Sequence, residues 1–507
     1  MQHVQNSNKK GNNADKKVVI IGGGPAGLTA AYQLCKEDVR SVVLEKDTVV
    51  GGISRTVNYK GFLFDIGGHR FFTKVKVVDD MWREVMGEEK FLRRSRLSRI
   101  YYKKKFFFYP LKAGNALLGL GLLNSFLMLT SYLKAQAFPV KPEKSFEDWI
   151  CNRFGRRLYD TFFKTYTEKV WGIPCEEISA DWAAQRIKGL SLISTIKNAI
   201  LSKAPKKKSD VITTLIDAFD YPEKGPGQMW ELVAEKIQGN GSDLRMKANV
   251  EKIFWEDGRI TGLQYGDGTT SQMIDGTDFI SSMPMRELVK KLDPPPPDKV
   301  LEAADALGYR DFLTVSLIVN KPRLFSDNWI YIHDSNVQVG RIQNFKNWSP
   351  HMVPDQSKTC LGLEYFCFEG DGLWTKDDKD LIEQAKNELE ALGLVEAKDV
   401  EDGSVVRMPK AYPVYDGVYQ DAVNTIRDFL KGVPNMHLVG RNGMHKYNNQ
   451  DHSMLTAMLA VKNILGADYD VWEVNVDKEY HEELTSEEAQ DLSKVASTQP
   501  LVPKRIS

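Results

Sequence analysis

Residues 17–21, KVVII, run directly into Gly22, Gly24 and Gly27 and then into Leu28, Ala31 and Leu34 at helical spacing, and few patterns restrict a fold more. The reading is strand, tight turn, helix. Glycine permits the turn and lets a pyrophosphate approach the backbone, and the helix N-terminus favours an anion. Pro25 and Ala26 stand between Gly24 and Gly27 and join them as candidate cofactor contacts. Residues 41–45, SVVLE, supply a second apolar strand, so the unit is βαβ with parallel strands and a right-handed crossover. Glu45 falls eighteen residues past Gly27, at a strand end, where its carboxylate accepts hydrogen bonds from a ribose 2′-hydroxyl and disfavours a 2′-phosphate. Lys46, next in the chain, is taken with it.

At 507 residues the chain exceeds one compact core, so two or more domains are expected, consecutive or interleaved. Residues 244–280 offer strand-like runs broken by Asp257-Gly258 and Asp267-Gly268, each a hairpin signal, and read as a β-meander. Val250, inside it, is a further candidate cofactor contact. Pro294 to Pro297 mark a crossing between domains. Residues 93–112 interleave basic and aromatic side chains, a pattern that could grip nucleic acid or anionic lipid, but a β-hairpin in a substrate domain is the preferred reading. Residues 114–133 are largely apolar and near the roughly 20 residues of a membrane span. Their Asn115, Asn124 and Ser125 favour a buried or interfacial helix, with peripheral membrane contact as the minor alternative.

Lys plus Arg and Asp plus Glu number 68 each, which leaves no global field to attract nucleic acid. Cysteines 35, 151, 175, 360 and 367 form no CxxC pair and the eight histidines no HExxH, so neither a metal site nor a disulfide framework is expected. The first sixteen residues are polar and read as a flexible lead rather than a signal peptide, which makes a cytoplasmic location the expectation. Residues 476–507 read as a charged, aperiodic tail.

The continuation EKDTVVGGISR, with Gly51-Gly52 and Arg55, resembles the extended FAD fingerprint of the amine-oxidase-like flavoproteins. A second match, residues 440–464 (GRNGMHKYNNQDHSMLTAMLAVKNI), resembles that family's C-terminal FAD motif. There a strand ending in Gly440-Arg441 leads to a helix whose N-terminus stabilises the negative charge of reduced flavin near N1 and O2. The resemblance implies contacts from Gly52, Arg55, Gly440, Arg441, Asn449, Asp451, His452, Ser453 and Met454, mostly through backbone donors.

Within that class the chain is most similar to the UDP-galactopyranose mutase family, over most of its length. FDIGGHRFFTK (residues 64–74) resembles the loop beside the isoalloxazine, with Gly68 and His69 at the flavin. YTEKVWG (residues 166–172) resembles the family's YTEKQWG, and YPVYDGVYQDAV (residues 412–423) its segment with a phosphate-binding tyrosine. The block running from Gly440 through KYNNQDH is the fourth match.

The resemblance implies an α/β fold. A Rossmann-type FAD-binding domain with a β-meander, from residues 17–90, 215–305 and 405–475, would be interleaved with an α+β substrate domain from residues 91–214 and 306–404. It also implies noncovalent FAD, NAD(P)H as a candidate external reductant, and reduced flavin N5 as covalent catalyst in pyranose/furanose interconversion. His69, Arg341 and Tyr412 would be the catalytic set, with Arg341 neutralising pyrophosphate and Tyr412 donating to a phosphate oxygen.

The departures fall where substrate is chosen. Bacterial mutases follow YTEKQWG with an arginine-rich stretch, whereas QRIKGLSL here offers Arg186 but Leu190. Residues 218–235, AFDYPEKGPGQMWELVAE, instead resemble protoporphyrinogen-oxidase-like enzymes. A nucleotide sugar and a polyprenyl-phosphate sugar both remain open as substrate. So do an oxidoreductase taking hydride from an amine, porphyrinogen or unsaturated hydrocarbon, and a noncatalytic FAD scaffold. The mutase reading predicts clustered Arg and Tyr phosphate ligands; the oxidoreductase reading predicts an apolar or aromatic-caged pocket. Oligomeric state is left unassigned.

Overall fold

The apolar run Val18–Ile21 is buried on both faces and forms the centre of a parallel sheet. A computed structural model describes residues 15–109, 113–180 and 218–475. The lead before residue 15, the tail from 476 and the stretch with Arg186 and Leu190 lie outside the described residues. Val18–Ile21 pairs with Asp278–Ser281 on one side and Ser41–Leu44 on the other, and Met436–Leu438 and Asp243–Arg245 complete five parallel strands. Alternate residues serve opposite faces. Val18 and Ile20 meet Leu28, Trp82, Trp230 and Leu455 from helices Pro25–Lys36, Lys76–Met86, Gly227–Gly239 and Gln450–Ile464. Val19 and Ile21 meet the meander and helices Met285–Lys290, Asp298–Ala306 and Tyr419–Leu430.

The meander proper is Asn249–Glu256, Arg259–Gly266 and Ser271–Asp275, all antiparallel. Asp257 and Gly258, at φ 48° and 73°, make the two-residue turn that their sequence signals. The expected extent needs correction: Asp243–Arg245 and Asp278–Ser281 belong to the parallel sheet, and Leu292–Asp293 pairs instead at the meander's edge. The reason is burial, since Asp278–Ser281 is buried throughout and suits an interior parallel strand.

A second, seven-stranded sheet orders Val400–Pro413, Tyr309–Val319, Thr359–Cys367, Arg341–Asn344, Trp329–Ile332, Ser98–Tyr102 and Lys105–Phe108. It draws on both segments read as the substrate domain, and its first strand continues to Pro413, so a boundary at 405 would cut that strand. The basic-aromatic stretch contains a hairpin, Ser98–Tyr102 with Lys105–Phe108, turning through Lys103 and Lys104 at φ 48° and 60°. The apolar stretch after it forms Ala113–Leu120 and Leu122–Ala137, separated by Gly121 at φ +83°. Among the described residues no helix is long and apolar enough to cross a membrane.

Candidate active site

Glycine is required in the first turn for steric reasons. A Cβ on Gly27 would stand 1.9 Å from the Gly22 carbonyl oxygen, and one on Gly22, at φ +104°, would stand 2.2 Å from Ser282 Oγ. Helix Pro25–Lys36 starts at Gly24 with no side-chain cap and no acidic residue in its first turn, so its opening N–H groups and dipole are available to an anion. The Gly23 N–H donates to Glu45 Oε2 at 2.6 Å, which fixes the buried carboxylate at the end of the next strand. The 51–55 turn folds over this one: Gly51 N–H donates to Gly23 O at 2.8 Å, and a Cβ on Gly52 would sit 3.5 Å from Gly24 Cα. Arg55 pairs with Asp47.

The chain from the meander reaches the same rim. Ala248 N–H donates to Glu45 O at 2.8 Å and Lys247 N–H to Asp47 O at 3.0 Å. Val250 packs its side chain into the core with Leu44, while Lys46 is exposed.

The C-terminal motif closes over the first helix. A Cβ on Gly440, at φ +80°, would lie 3.1 Å from Ala26 Cβ, and Gly440 N–H donates to Thr456 Oγ1 at 2.9 Å. Helix Gln450–Ile464 begins at Asn449 without a side-chain cap. Thr73 Oγ1 donates to Asp451 Oδ2 at 3.0 Å, binding the 64–74 loop to this helix start. Ser453 is buried, and Met454 points into the core, its Sδ accepting from Trp82 Nε1 at 3.2 Å. Four buried polar atoms near here, Nδ1 of His69, Nδ1 of His452 and both amide atoms of Gln450, have no hydrogen-bond partner. Native interiors rarely leave such groups unsatisfied, so a polar ligand between this helix start and the 64–74 loop fits them. With the glycine turn and the fixed Glu45, these features suit a flavin dinucleotide.

His69 is half-buried beside two cations. Burial, together with Arg441 and Arg341, pulls its imidazole down to about 3, so it is neutral at ordinary pH. The preceding Gly68 allows close packing, because a Cβ there would stand 3.0 Å from Gln343 Nε2. Arg341 lies on an interior strand of the seven-stranded sheet, not at an edge, and pairs with Glu364 directly across the ladder. Burial opposes the Arg341 charge, but Glu364 and the phenols of Tyr166, Tyr412 and Tyr331 raise its pKa on balance. Gln343 Nε2 donates to Glu364 Oε1 at 2.7 Å and Trp348 Nε1 to Gln343 Oε1 at 3.0 Å, which makes the pair rigid.

Tyr412 stacks on Tyr447 with centroids 5.5 Å apart, and the Arg441 guanidinium lies 5.5 Å and 4.8 Å from the two rings. Arg441 is held by the carbonyls of Asn448 (2.9 Å) and Ala411 (3.0 Å), acceptors that leave its charge intact. Tyr166 stacks on His333 at 5.1 Å and meets Tyr331 edge-on at 5.4 Å. The structure therefore brings His69, Arg341, Tyr412 and Arg441 together, and adds Tyr166, Tyr331, Tyr447 and Glu364. Tyr166 opens the YTEKVWG motif and was within reach of sequence reasoning; Tyr331 and Glu364 carry no local signal.

The profile of the family described as flavin containing amine oxidoreductase matches residues 25–450. The chain belongs to that family. Among solved structures it is similar to reduced UDP-galactopyranose mutase, with TM-score 0.75 and 22% identity over 90% of this chain and 97% of that one. It is also similar to a putative protoporphyrinogen oxidase from Exiguobacterium sp. 255-15, with TM-score 0.64 and 18% identity over 89% and 98%. A putrescine oxidase bound to putrescine gives TM-score 0.56 and 15% identity over 89% and 99%. These likenesses establish a mixed α/β flavoprotein fold with a Rossmann-like FAD-binding domain. Among curated proteins, prolycopene isomerase of Arabidopsis thaliana is 23% identical over 52% of this chain and 47% of its own length. An uncharacterised protein of Methanothermococcus thermolithotrophicus is 49% identical over 10% of this chain and 51% of its own. The chain thus spans about half the length of these curated relatives. Family membership carries an FAD-type flavin with it, and the chain is a flavoenzyme of the amine oxidase family.

Proposed function

We propose that this flavoenzyme is an isomerase similar to UDP-galactopyranose mutase, interconverting pyranose and furanose forms of a nucleotide or lipid-linked sugar. Bound noncovalently, reduced FAD supplies a nucleophilic N5 for the anomeric carbon of the sugar. The residues Gly22, Gly24, Pro25, Ala26, Gly27, Gly52 and Arg55 cradle the pyrophosphate of the cofactor, and Glu45 holds its ribose. The N-terminus of helix Gln450–Ile464 would stabilise negative charge at the pyrimidine end of the flavin. Neutral His69 orients the ring without adding charge. Arg341 neutralises substrate phosphate, and Tyr412 donates to a phosphate oxygen. An external reductant such as NAD(P)H keeps the flavin reduced.

One observation carries this reading: Arg341 and Arg441 converge with the phenols of Tyr412, Tyr447 and Tyr166 beside His69. Such a lining suits an anionic substrate better than the apolar pocket expected of a hydride-accepting oxidase.

The test is to reduce the purified protein with dithionite under argon, add UDP-galactofuranose and look for UDP-galactopyranose by chromatography. Turnover only with reduced flavin is expected. No turnover, with flavin bleached by an amine, porphyrinogen or polyene and recovered by oxygen, would replace the isomerase by an oxidoreductase. Mild denaturation is expected to release the FAD; yellow colour remaining on the chain would refute noncovalent binding.

A further inference from the structure

Helix Leu122–Ala137 wears its apolar side outward. Leu122, Phe126, Leu129 and Leu133 recur as one helical stripe and are 89%, 62%, 44% and 56% exposed. Leu118, at 83%, and Leu123, at 72%, widen the stripe. The opposite side of the helix does the structural packing: Tyr132 is buried, and Met128 packs against the cluster of Ile100, Phe107 and Phe162. Surface helices ordinarily turn their apolar face inward, so a continuous outward stripe marks an interaction surface.

Charge indicates what that surface meets. Residues 91–141 contain ten Lys and Arg and no Asp or Glu, in a chain that holds 68 of each sign. Arg93 and Arg99 pair with Asp220 and Asp327 of other segments. Lys103 and Lys104 at the hairpin tip, and Lys134 and Lys141 at the far end of the stripe, are exposed. The nearest acids in sequence, Glu143 and Glu147, are paired with Arg153 and Arg156. An exposed apolar stripe that ends at Lys134 and Lys141, on helices too short to span, has the chemistry of an interfacial anchor.

We propose that this face docks onto an anionic bilayer surface, with the leucine and phenylalanine side chains entering the acyl boundary and the lysines meeting lipid phosphates. The proposal does not depend on which reaction the flavin site performs.

Flotation of the purified full-length protein tests it, using vesicles of equal parts phosphatidylcholine and phosphatidylglycerol against phosphatidylcholine alone. Binding to the mixed vesicles is expected to be about tenfold stronger and to weaken with salt. The double variant Leu122→Glu/Phe126→Glu is expected to lose about tenfold or more in binding to mixed vesicles with its urea midpoint unchanged. Lys134→Glu/Lys141→Glu should weaken binding to the mixed vesicles while leaving the phosphatidylcholine value unaltered. Absence of the wild-type protein from floated mixed vesicles would overturn the proposal, as would flotation indifferent to the Leu122→Glu/Phe126→Glu change. A dimer in light scattering that this double variant splits, without vesicle binding by the wild type, would assign the face to a second copy of the chain instead.

Discussion

Tyr412 and Tyr447 lie nearly parallel, 14° apart with centroids separated by 5.5 Å, although 35 positions separate them in the chain. The stack fixes the Tyr412 ring independently of its hydroxyl. Tyr412→Phe therefore isolates the hydrogen bond proposed to substrate phosphate. Affinity of the reduced enzyme for UDP-galactose is expected to fall by about 0.5–1.5 kcal/mol, roughly two- to twelve-fold in Kd by titration calorimetry. Unchanged affinity would remove Tyr412 from the phosphate site.

Two glycines offer a matched pair for the cofactor turn. Gly27→Ala forces a Cβ to within 1.9 Å of a backbone oxygen, which no rotamer relieves, so FAD content on purification should drop to a small fraction of the wild-type value by visible absorbance. At Gly239, the last residue of helix Gly227–Gly239, an added Cβ would meet nothing within 4 Å. Gly239→Ala should keep full FAD content and gain about 0.4–1 kcal/mol of stability. Equal FAD content in the two variants would contradict the close helix–strand crossing.

Burial, reinforced for His333 by Lys169, pulls His333 and His445 down to about 3 and about 4. An unfolded histidine near 6.5 binds its proton throughout the window in which these two do not. The contribution of these two histidines is therefore complete above about pH 6.5 and declines as pH falls, by up to ~1.4 kcal/mol per unit for each histidine. His445→Gln should flatten the slope of the urea midpoint against pH between about pH 6.5 and pH 4.5. Parallel wild-type and variant curves would count against a buried neutral imidazole.

Asp65 has the opposite sign. Burial raises its carboxyl to about 8, against the opposing hydrogen bonds of Tyr221 and Thr56. The native state thus holds a proton that the unfolded state has released above about 3.9. This contribution is present at low pH and is lost as pH rises toward 8. Asp65→Asn, neutral at every pH, should abolish the decline in stability between about pH 6 and pH 8. A variant curve that still declines there would assign it to another group.

The cofactor half was legible because its determinants are contiguous. Gly22, Gly24, Gly27 and Glu45 lie within one βαβ unit, and the Asp257-Gly258 turn depends only on its own two residues. The substrate side was less legible, because its sheet is assembled from distant segments. Ser98–Tyr102 lies parallel to Trp329–Ile332, which is what carries Tyr331 toward Tyr166. Glu364 meets Arg341 only through a strand ladder. No periodicity within either segment announces such a pairing. The outward face of Leu122–Ala137 was hidden for a related reason: hydropathy reports that a helix has an apolar side but not which way it faces.

Strand Phe91–Ser95 lies antiparallel to Ala218–Pro222, with Ser95 opposite Ala218. The first of the chain's two excursions from the flavin-binding half thus leaves and returns through one doorway, whose two jambs are bonded to each other. Lengthening a surface loop between those jambs costs little in closure entropy. Insertions between the jambs can therefore accumulate without disturbing the glycine turn that the first βαβ unit builds.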